Sequence, residues 1–480
     1  MQIMKFLAIL VPLFALALAQ SQFVRAVGGT NNDGGNSVVQ TSDGGFAVAG
    51  LTGSYGAGSY DFFLVKFSST GTYEWSRAVG GTSDDDGWSV VQTSDGGFAV
   101  AGMTRSYGAG SGDLLLVKFN ASGSVLWSRA VGGTSVDVGG SVVQTSDSGF
   151  AVAGFTYSYG AGTPDYCNLF LVKFSSTGTV EWSRAVGGTS YDVGYSVVET
   201  SDGGLAVAGL TYSYGAGSPD YPNLFLVKFT STGSVEWSRA VGGTTSDDYG
   251  FSVVQTSDGG LAIAGYTRSF GAGDWDFFLV KFTAIGTVEW SRAVGGTSSD
   301  YGTSVVQTSD GGFAVAGETY SYGAGTPDSS NLLLVKFDSE GNSCIGEAVS
   351  PTVTIASPSV ASPSPSVASP SPTVTDVSPT VTVVSPTVTE ICTDDIIETV
   401  IKPAEFEISV SPNPFNSSCA ISAPKGAKIE IFDVEGKKIM ELSNGQRIWT
   451  PNKEIGSGIY LVKATTKNGQ SATKRIVFMK

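Results

Sequence analysis

Histidine is absent from the 480 residues, and cysteine, methionine and basic side chains are scarce: four Cys, five Met, and 27 Lys and Arg against 43 Asp and Glu, for a formal charge of −16. Each shortage excludes something. Without His there is no Ser-His-Asp triad, no imidazole general base and no His-ligated zinc or haem. Without a basic excess nothing displaces counterions from a phosphate backbone, so a nucleic-acid partner is excluded. The cysteines, Cys167, Cys344, Cys392 and Cys419, stand in scattered contexts and match no metal-ligand spacing; export would permit disulfides, and three pairings are open. Beyond the N-terminus no run is long and apolar enough to span a bilayer as a helix. Glycine is abundant instead, at 64 residues with no Gly-X-Y period, which excludes collagen. Hydrophobic content of 41% and aromatic content of 11% suffice to bury a core.

Residues 1–19, MQIMKFLAILVPLFALALA, combine Lys5, an apolar run and Ala17-Leu18-Ala19, the pattern of a signal peptide with cleavage before Gln20. A membrane anchor is the alternative, for which the run is short. Downstream, the string RAVGGT begins at Arg25, Arg77, Arg129, Arg184, Arg239 and Arg292, and LVKF ends at Phe67, Phe119, Phe174, Phe229, Phe282 and Phe337. Six copies of one unit are therefore present. The first copy contains four strand-like runs, Ser37–Gln40, Phe46–Thr52, Phe62–Phe67 and Tyr73–Val79, separated by turn signals such as TSDGG and SSTG. Four antiparallel strands per unit of about 50 residues predict an all-β, six-bladed β-propeller over 20–346. Five copies end in Trp-Ser-Arg; the sixth does not, and Phe23-Val24-Arg25-Ala26-Val27 stands alone at the front. That strand is expected to close the last blade, with an open β-solenoid as the alternative.

The strings WSRAVGGT, SVVQTSDGGFAVAG and FFLVKF resemble bacterial β-propeller repeats of secreted and cell-surface proteins. The resemblance covers about two thirds of the chain and implies the fold, not an activity. Residues 347–403 differ in composition: Ser350–Val388 is built from SPTVT and SPSVA units with Asp376 as its only charge, and reads as an extended stalk. From 404 to 480 alternation returns, predicting an Ig-like β-sandwich of about seven short strands. Here Ser411-Pro412-Asn413-Pro414-Phe415, the turn Asp433-Val434-Glu435-Gly436-Lys437, Gly458-Ile459-Tyr460-Leu461 and a last strand ending at Lys480 resemble the type A, Por-type C-terminal sorting domain of the bacterial type IX secretion system. The resemblance implies export to the periplasm, passage across the outer membrane and surface display, with the secretion machinery as partner. The negative charge lies in the repeats, and the C-terminal segment is mildly basic.

Candidate binding residues fall on the loops that join the second to the third strand and one unit to the next, because all length variation is there. Asp33, Asp85, Asp137, Asp192, Asp248 and Asp300 recur two residues before a Gly, and Asp61, Asp113, Asn168, Asn223, Asp276 and Asn331 precede each LVKF strand. They suit either a ring of Ca²⁺ ligands or, better, turn acceptors that every unit needs. The Lys of LVKF and the Arg of RAVGGT are candidate ion partners for them. Positions that vary between copies include Tyr60, Trp88, Tyr195, Phe251 and Trp275, aromatic rings beside carboxylates suited to sugars or a protein loop, or else to packing between blades. No nucleophile elbow, P-loop or dinucleotide fingerprint appears. The sequence thus predicts a non-catalytic, surface-displayed binding or adhesion protein for glycan or protein, needing no cofactor. The alternatives are a polysaccharide hydrolase or lyase using Asp and Glu, or a purely structural surface component.

Overall fold

The computed structural model describes residues 23, 25–323 and 327–348, short strands between 352 and 383, and 408–480 apart from 424–426, 435, 443–446 and 466–470. The expected signal peptide and its cleavage site lie outside these residues. The chain divides into two compact units, 1–392 and 393–480. No helix occurs among the described residues.

The first unit of the repeat pairs Asp33–Gln40, Phe46–Thr52, Asp61–Phe67 and Tyr73–Gly80 in sequence order as one antiparallel sheet. Repeats two to five do the same, and the sixth contributes three strands, Asp300–Gln307, Phe313–Thr319 and Asn331–Phe337. The first strand begins at Asp33, earlier than its apolar run, because pairing continues through a β-bulge between Gly35 and Ser37. Consecutive sheets stack face to face. Phe62, Leu64, Ala47 and Ala49 of the first repeat pack on Val90, Phe98, Val100 and Phe119 of the second, and the same columns repeat along the stack. Strand alternation puts one apolar row on each side of every sheet, so an interior unit is buried on both.

Two expectations are corrected. Arg25–Gly28 does not join the sixth sheet; it pairs with Thr380–Val383. The sixth sheet has three strands, and no sheet closes on itself among the described residues. The linker does not leave the repeats as a free stalk. Gly346–Ala348, Thr352–Ile355, Ser359–Ala361, Ser366–Ala368 and Thr373–Asp376 add in turn to the outer strands of units five, four, three, two and one. Segments such as Thr-Val-Thr are good β-formers, three or four residues suffice for an edge strand, and the prolines fall in sequence between the paired stretches. The outer edges would otherwise stand unprotected.

Among the described residues the C-terminal unit holds seven strands in two sheets. One contains Ser409–Ser411, Cys419–Ser422 and Ile448–Trp449; the other contains Lys428–Asp433, Lys438–Leu442, Gly458–Thr465 and Ser471–Phe478. Its core centres on Trp449 with Phe415, Ile431, Val462 and Phe478.

Candidate functional site

The recurring acids sit where the two variable loops meet, but they face inward. Asp85, Asp137, Asp192, Asp248 and Asp300 have no exposed surface; only Asp33, at the open end, is partly exposed. Asp137 accepts from the Thr156 and Ser158 hydroxyls and from the Gly133 N–H, and Asp192 and Asp248 repeat the set. One carboxylate thus ties the crossing loop to the loop between second and third strands, and it joins both loops at one end of each unit. The companion series lies beside it. The point that a Cβ on Gly80 would occupy is 2.0 Å from Asp61 Oδ1 and 2.7 Å from Asp85 Oδ2, and Gly132 stands likewise between Asp113 and Asp137. Asp61 Oδ1 and Asp113 Oδ1 accept no hydrogen bond. Burial, reinforced by the neighbouring carboxylate, pushes both Asp61 and Asp113 up to about 6. Burial alone raises Asp192 to about 6, beside Asn168. Among the described residues no group of three or more acidic or Cys side chains converges as a metal site would require.

Among the described residues the lysines' ion partners are other acids. Each LVKF lysine reaches the Asp of the TSDGG turn, or of TSDSG in the third unit: Lys66 meets Asp43 at 3.0 Å and Glu74 at 3.2 Å, and donates to the Phe67 carbonyl. Each RAVGGT arginine lies over the ring two residues before it and binds carbonyls of the next unit's turn, as Arg77 does over Trp75 with Gly123 and Ser122. Both cation series are parts of the repeat's framework.

The varying aromatics come together in units three to six. Tyr195 stacks on Phe251 at 4.6 Å, Phe251 on Tyr266 at 4.9 Å, and Tyr266 meets Trp275 at 5.1 Å and Tyr301 at 4.9 Å. Tyr249 fills the space between Tyr266 and Trp275, and Tyr157, Tyr166, Tyr191 and Tyr212 continue the row. These rings are partly exposed, Tyr166 and Tyr191 the most. Arg268 flanks them, paired with Asp274 at 2.7 Å and lying over Trp275. Burial and the neighbouring Tyr301 and Asp247 raise the Tyr266 phenol to about 12, so it remains a hydrogen-bond donor. Tyr60 and Trp88, both partly exposed, lie outside this row: the Tyr60 hydroxyl accepts from Asn32, and Trp88 is the bulged residue of unit two. Tyr195 and Phe251 are bulged residues too. A bulge re-aims one side chain out of the pleat, which explains why this column varies while its neighbours do not. Tyr249, Tyr266 and Tyr301 were not singled out from the sequence, although two of them directly follow the recurring Asp.

Among the predicted motif residues of the C-terminal unit, Asn413 and the adjoining Phe415 clamp the last strand. Asn413, between two cis peptides ending in Pro412 and Pro414, donates to the Arg475 carbonyl and accepts from the Val477 N–H. Phe415 adds two backbone bonds, to Val477 and Met479. Asp433 accepts from the Lys437 N–H across a turn in which Gly436 has φ +84°. Gly458 opens the strand that carries Tyr460, whose hydroxyl donates to the Gly456 carbonyl while its ring abuts Trp449. Cys167 and Cys419 are buried free thiols, and Cys344 is disulfide-bonded.

Residues 409–479 match the family described as the secretion system C-terminal sorting domain. The protein carries the sorting segment of type IX cargo and is secreted, to the cell surface or beyond. The regulatory protein FlaEY of Caulobacter vibrioides is 26% identical over 227 residues, 42% of this chain and 22% of its own, so the chain spans about a fifth of that relative. PorZ, a surface component of the type IX secretion system of Porphyromonas gingivalis, shares 11% identity at a TM-score of 0.31 over 95% of this chain and 51% of its own. A putative gluconolactonase shares 11% at 0.33 over 61% and 90%. At these scores neither structure bears on what this chain does. No helix among the described residues is long and apolar enough to cross a membrane, which says nothing of β-barrels.

Proposed function

We propose that the protein is a non-catalytic surface binding protein that displays six blade-like units and recognises glycan through its aromatic row. The supporting observation is the continuous, partly exposed array from Tyr195 through Phe251, Tyr266 and Trp275 to Tyr301, edged by Arg268, Asp274 and Asp247. Flat rings with protonated phenols offer stacking surface and donors to sugar rings at small entropic cost. The recurring acids are internal turn acceptors and not the pair of carboxylates across an open cleft that glycoside hydrolysis needs, which favours binding. The proposal includes six four-stranded units, the sixth completed by an N-terminal strand, which within the single chain pairs with Thr380–Val383 instead. Neither a cofactor nor Ca²⁺ is invoked.

The test is retention of the purified full chain on a panel of bacterial and host glycans, with Ca²⁺ and with chelator. Binding should occur in both conditions without release of sugar, and Tyr266→Ala with Trp275→Ala should weaken it by at least about tenfold. Released product that Asp→Asn substitution abolishes would instead make the protein an enzyme.

A further inference from the structure

The two ends of the repeat stack are the two halves of its own internal interface. Phe62 and Leu64 sink against the next unit, as described above; the same columns of the sixth unit are Leu332 and Leu334, 80% and 65% exposed, beside exposed Val306. The first unit shows the other half. Val38 is 65% exposed, whereas its counterparts Val90, Val142, Val197, Val253 and Val305 are at 7% or less. Next to it Val48, Phe63, Val65 and Phe67 line an open cleft of about 210 Å³.

The strands are split in the same way. In units one to five the fourth strand lies between the third strand and a linker strand. Among the described residues Arg25–Gly28 pairs with its linker strand, and Asn331–Phe337 is the last strand of its sheet. Arg25–Gly28 nonetheless seats on unit one as every fourth strand seats on the following unit. Phe23 meets Phe46 edge-on at 5.7 Å, as Trp75 meets Phe98, and Arg25 Nε donates to the Gly71 carbonyl as Arg77 Nε does to Gly123. It is the fourth strand of a unit whose other three strands are elsewhere.

We infer that those three strands are the sixth unit of a second copy, so that chains join head to tail. This rests on the proposal that the N-terminal strand completes a sixth unit, and adds which chain supplies it. The register of the internal pairs, Phe62 opposite Val79 and Leu64 opposite Arg77, places Leu332 opposite Val27 and Leu334 opposite Arg25 of the next copy. The Ser309 N–H meets Gln40 there as the Ser257 N–H meets Gln307 at 2.8 Å. The Val38 N–H meets the Ser304 hydroxyl as Val305 meets Ser252 at 3.2 Å. A second copy is favoured over the chain's own front because the Val N–H to Ser hydroxyl bond recurs at all five junctions, and Val38, Leu332 and Leu334 stay exposed at the two ends. Head-to-tail joining reuses that step unchanged. Such a contact is heterologous and adds units without limit unless the rotation closes.

The experiment uses the full chain lacking only its signal peptide. Sedimentation velocity over a hundredfold concentration range should show a ladder of oligomers, and Leu332→Glu with Leu334→Glu should shift its onset at least about tenfold upward. Both leucines are exposed, so the variant should keep the native melting temperature. Val27→Cys and Leu332→Cys, made as separate chains and mixed with a short bis-maleimide, should give covalent dimers. A crosslink formed only when both cysteines share one monomeric chain would overturn the second-copy inference and keep the completed sixth unit. No crosslink in either format would overturn both.

Discussion

At the residue scale, the acids show how one residue type takes two opposed roles. Asp43, in the TSDGG turn, is held at about 2 by the Thr41 hydroxyl, the Gly45 N–H and Lys66, against a small cost of burial. Its folded pKa lies below the ordinary value near 3.9, so its stabilisation is present above about pH 4 and fades as pH falls toward 2. Asp61 and Asp113 are shifted the other way, to about 6. The fold holds their protons more tightly than the unfolded chain does. Their penalty is therefore absent below about pH 4, grows up to pH 6, and is complete above it. Thermal stability should peak near pH 4–5 and fall toward neutrality. Asp61→Asn with Asp113→Asn should raise the melting temperature at pH 7.5 by about 2–4 °C and leave it nearly unchanged at pH 4.5. A lower melting temperature at pH 7.5 would show that the charged carboxylates stabilise the loop. Units three and four already carry Asn168 and Asn223 at this position. The recurrence of these acids was plain in the sequence. Their inward orientation was not, because a turn acceptor and a surface ligand show the same spacing until the hydroxyl partners are in place.

At the scale of the element, glycine is required for two different reasons. In Phe-Ala-Val-Ala-Gly the last residue faces the bulged first strand, where the backbones come unusually close: a Cβ on Gly154 would stand 1.9 Å from the Val138 carbonyl oxygen, and on Gly102 1.8 Å from that of Asp86. Backbone cannot yield as a side-chain tip can. Gly154→Ala should therefore cost at least about 2 kcal/mol, read as a lower urea midpoint at constant slope. Gly259, by contrast, has φ +81° in an open turn with nothing within 4 Å. Gly259→Ala should cost only about 1 kcal/mol, from backbone conformation alone. Equal losses at the two sites would show that the strands shift apart to admit a methyl group. The strands and turns were legible because the alternation recurs six times and the Asp-Gly turn signal five, with Asp147-Ser148 in the third unit. The bulge was not, since it is a property of register, and with it went Tyr266, whose column is apolar in the first four units and Glu318 in the sixth.

At the scale of the molecule, the repeat count and the sorting segment were legible, whereas the paths of the N-terminal strand and linker were not: Thr-Val-Thr between prolines reads as a spacer until an open sheet edge lies beside it. The C-terminal unit has its own core around Trp449, built from residues 408 to 478. Removing it should leave the repeats folded and change only where they go. Deletion of 404–480 should retain the repeat body in the periplasm with a melting temperature within about 1 °C of that of the same body in the full chain; surface display of the truncated protein would refute the sorting role. A point variant separates the fold of this unit from its mere presence. Asn413 holds the last strand through two hydrogen bonds, to Arg475 and Val477. Asn413→Ala leaves those backbone groups to solvent or unpaired, at about 1–3 kcal/mol. In a seven-strand domain that loss should loosen the C-terminal strand first. Export measured by surface proteolysis should fall in proportion to the unfolded fraction and recover at lower temperature. An export defect that does not recover on cooling would instead make Asn413 a direct contact of the secretion machinery.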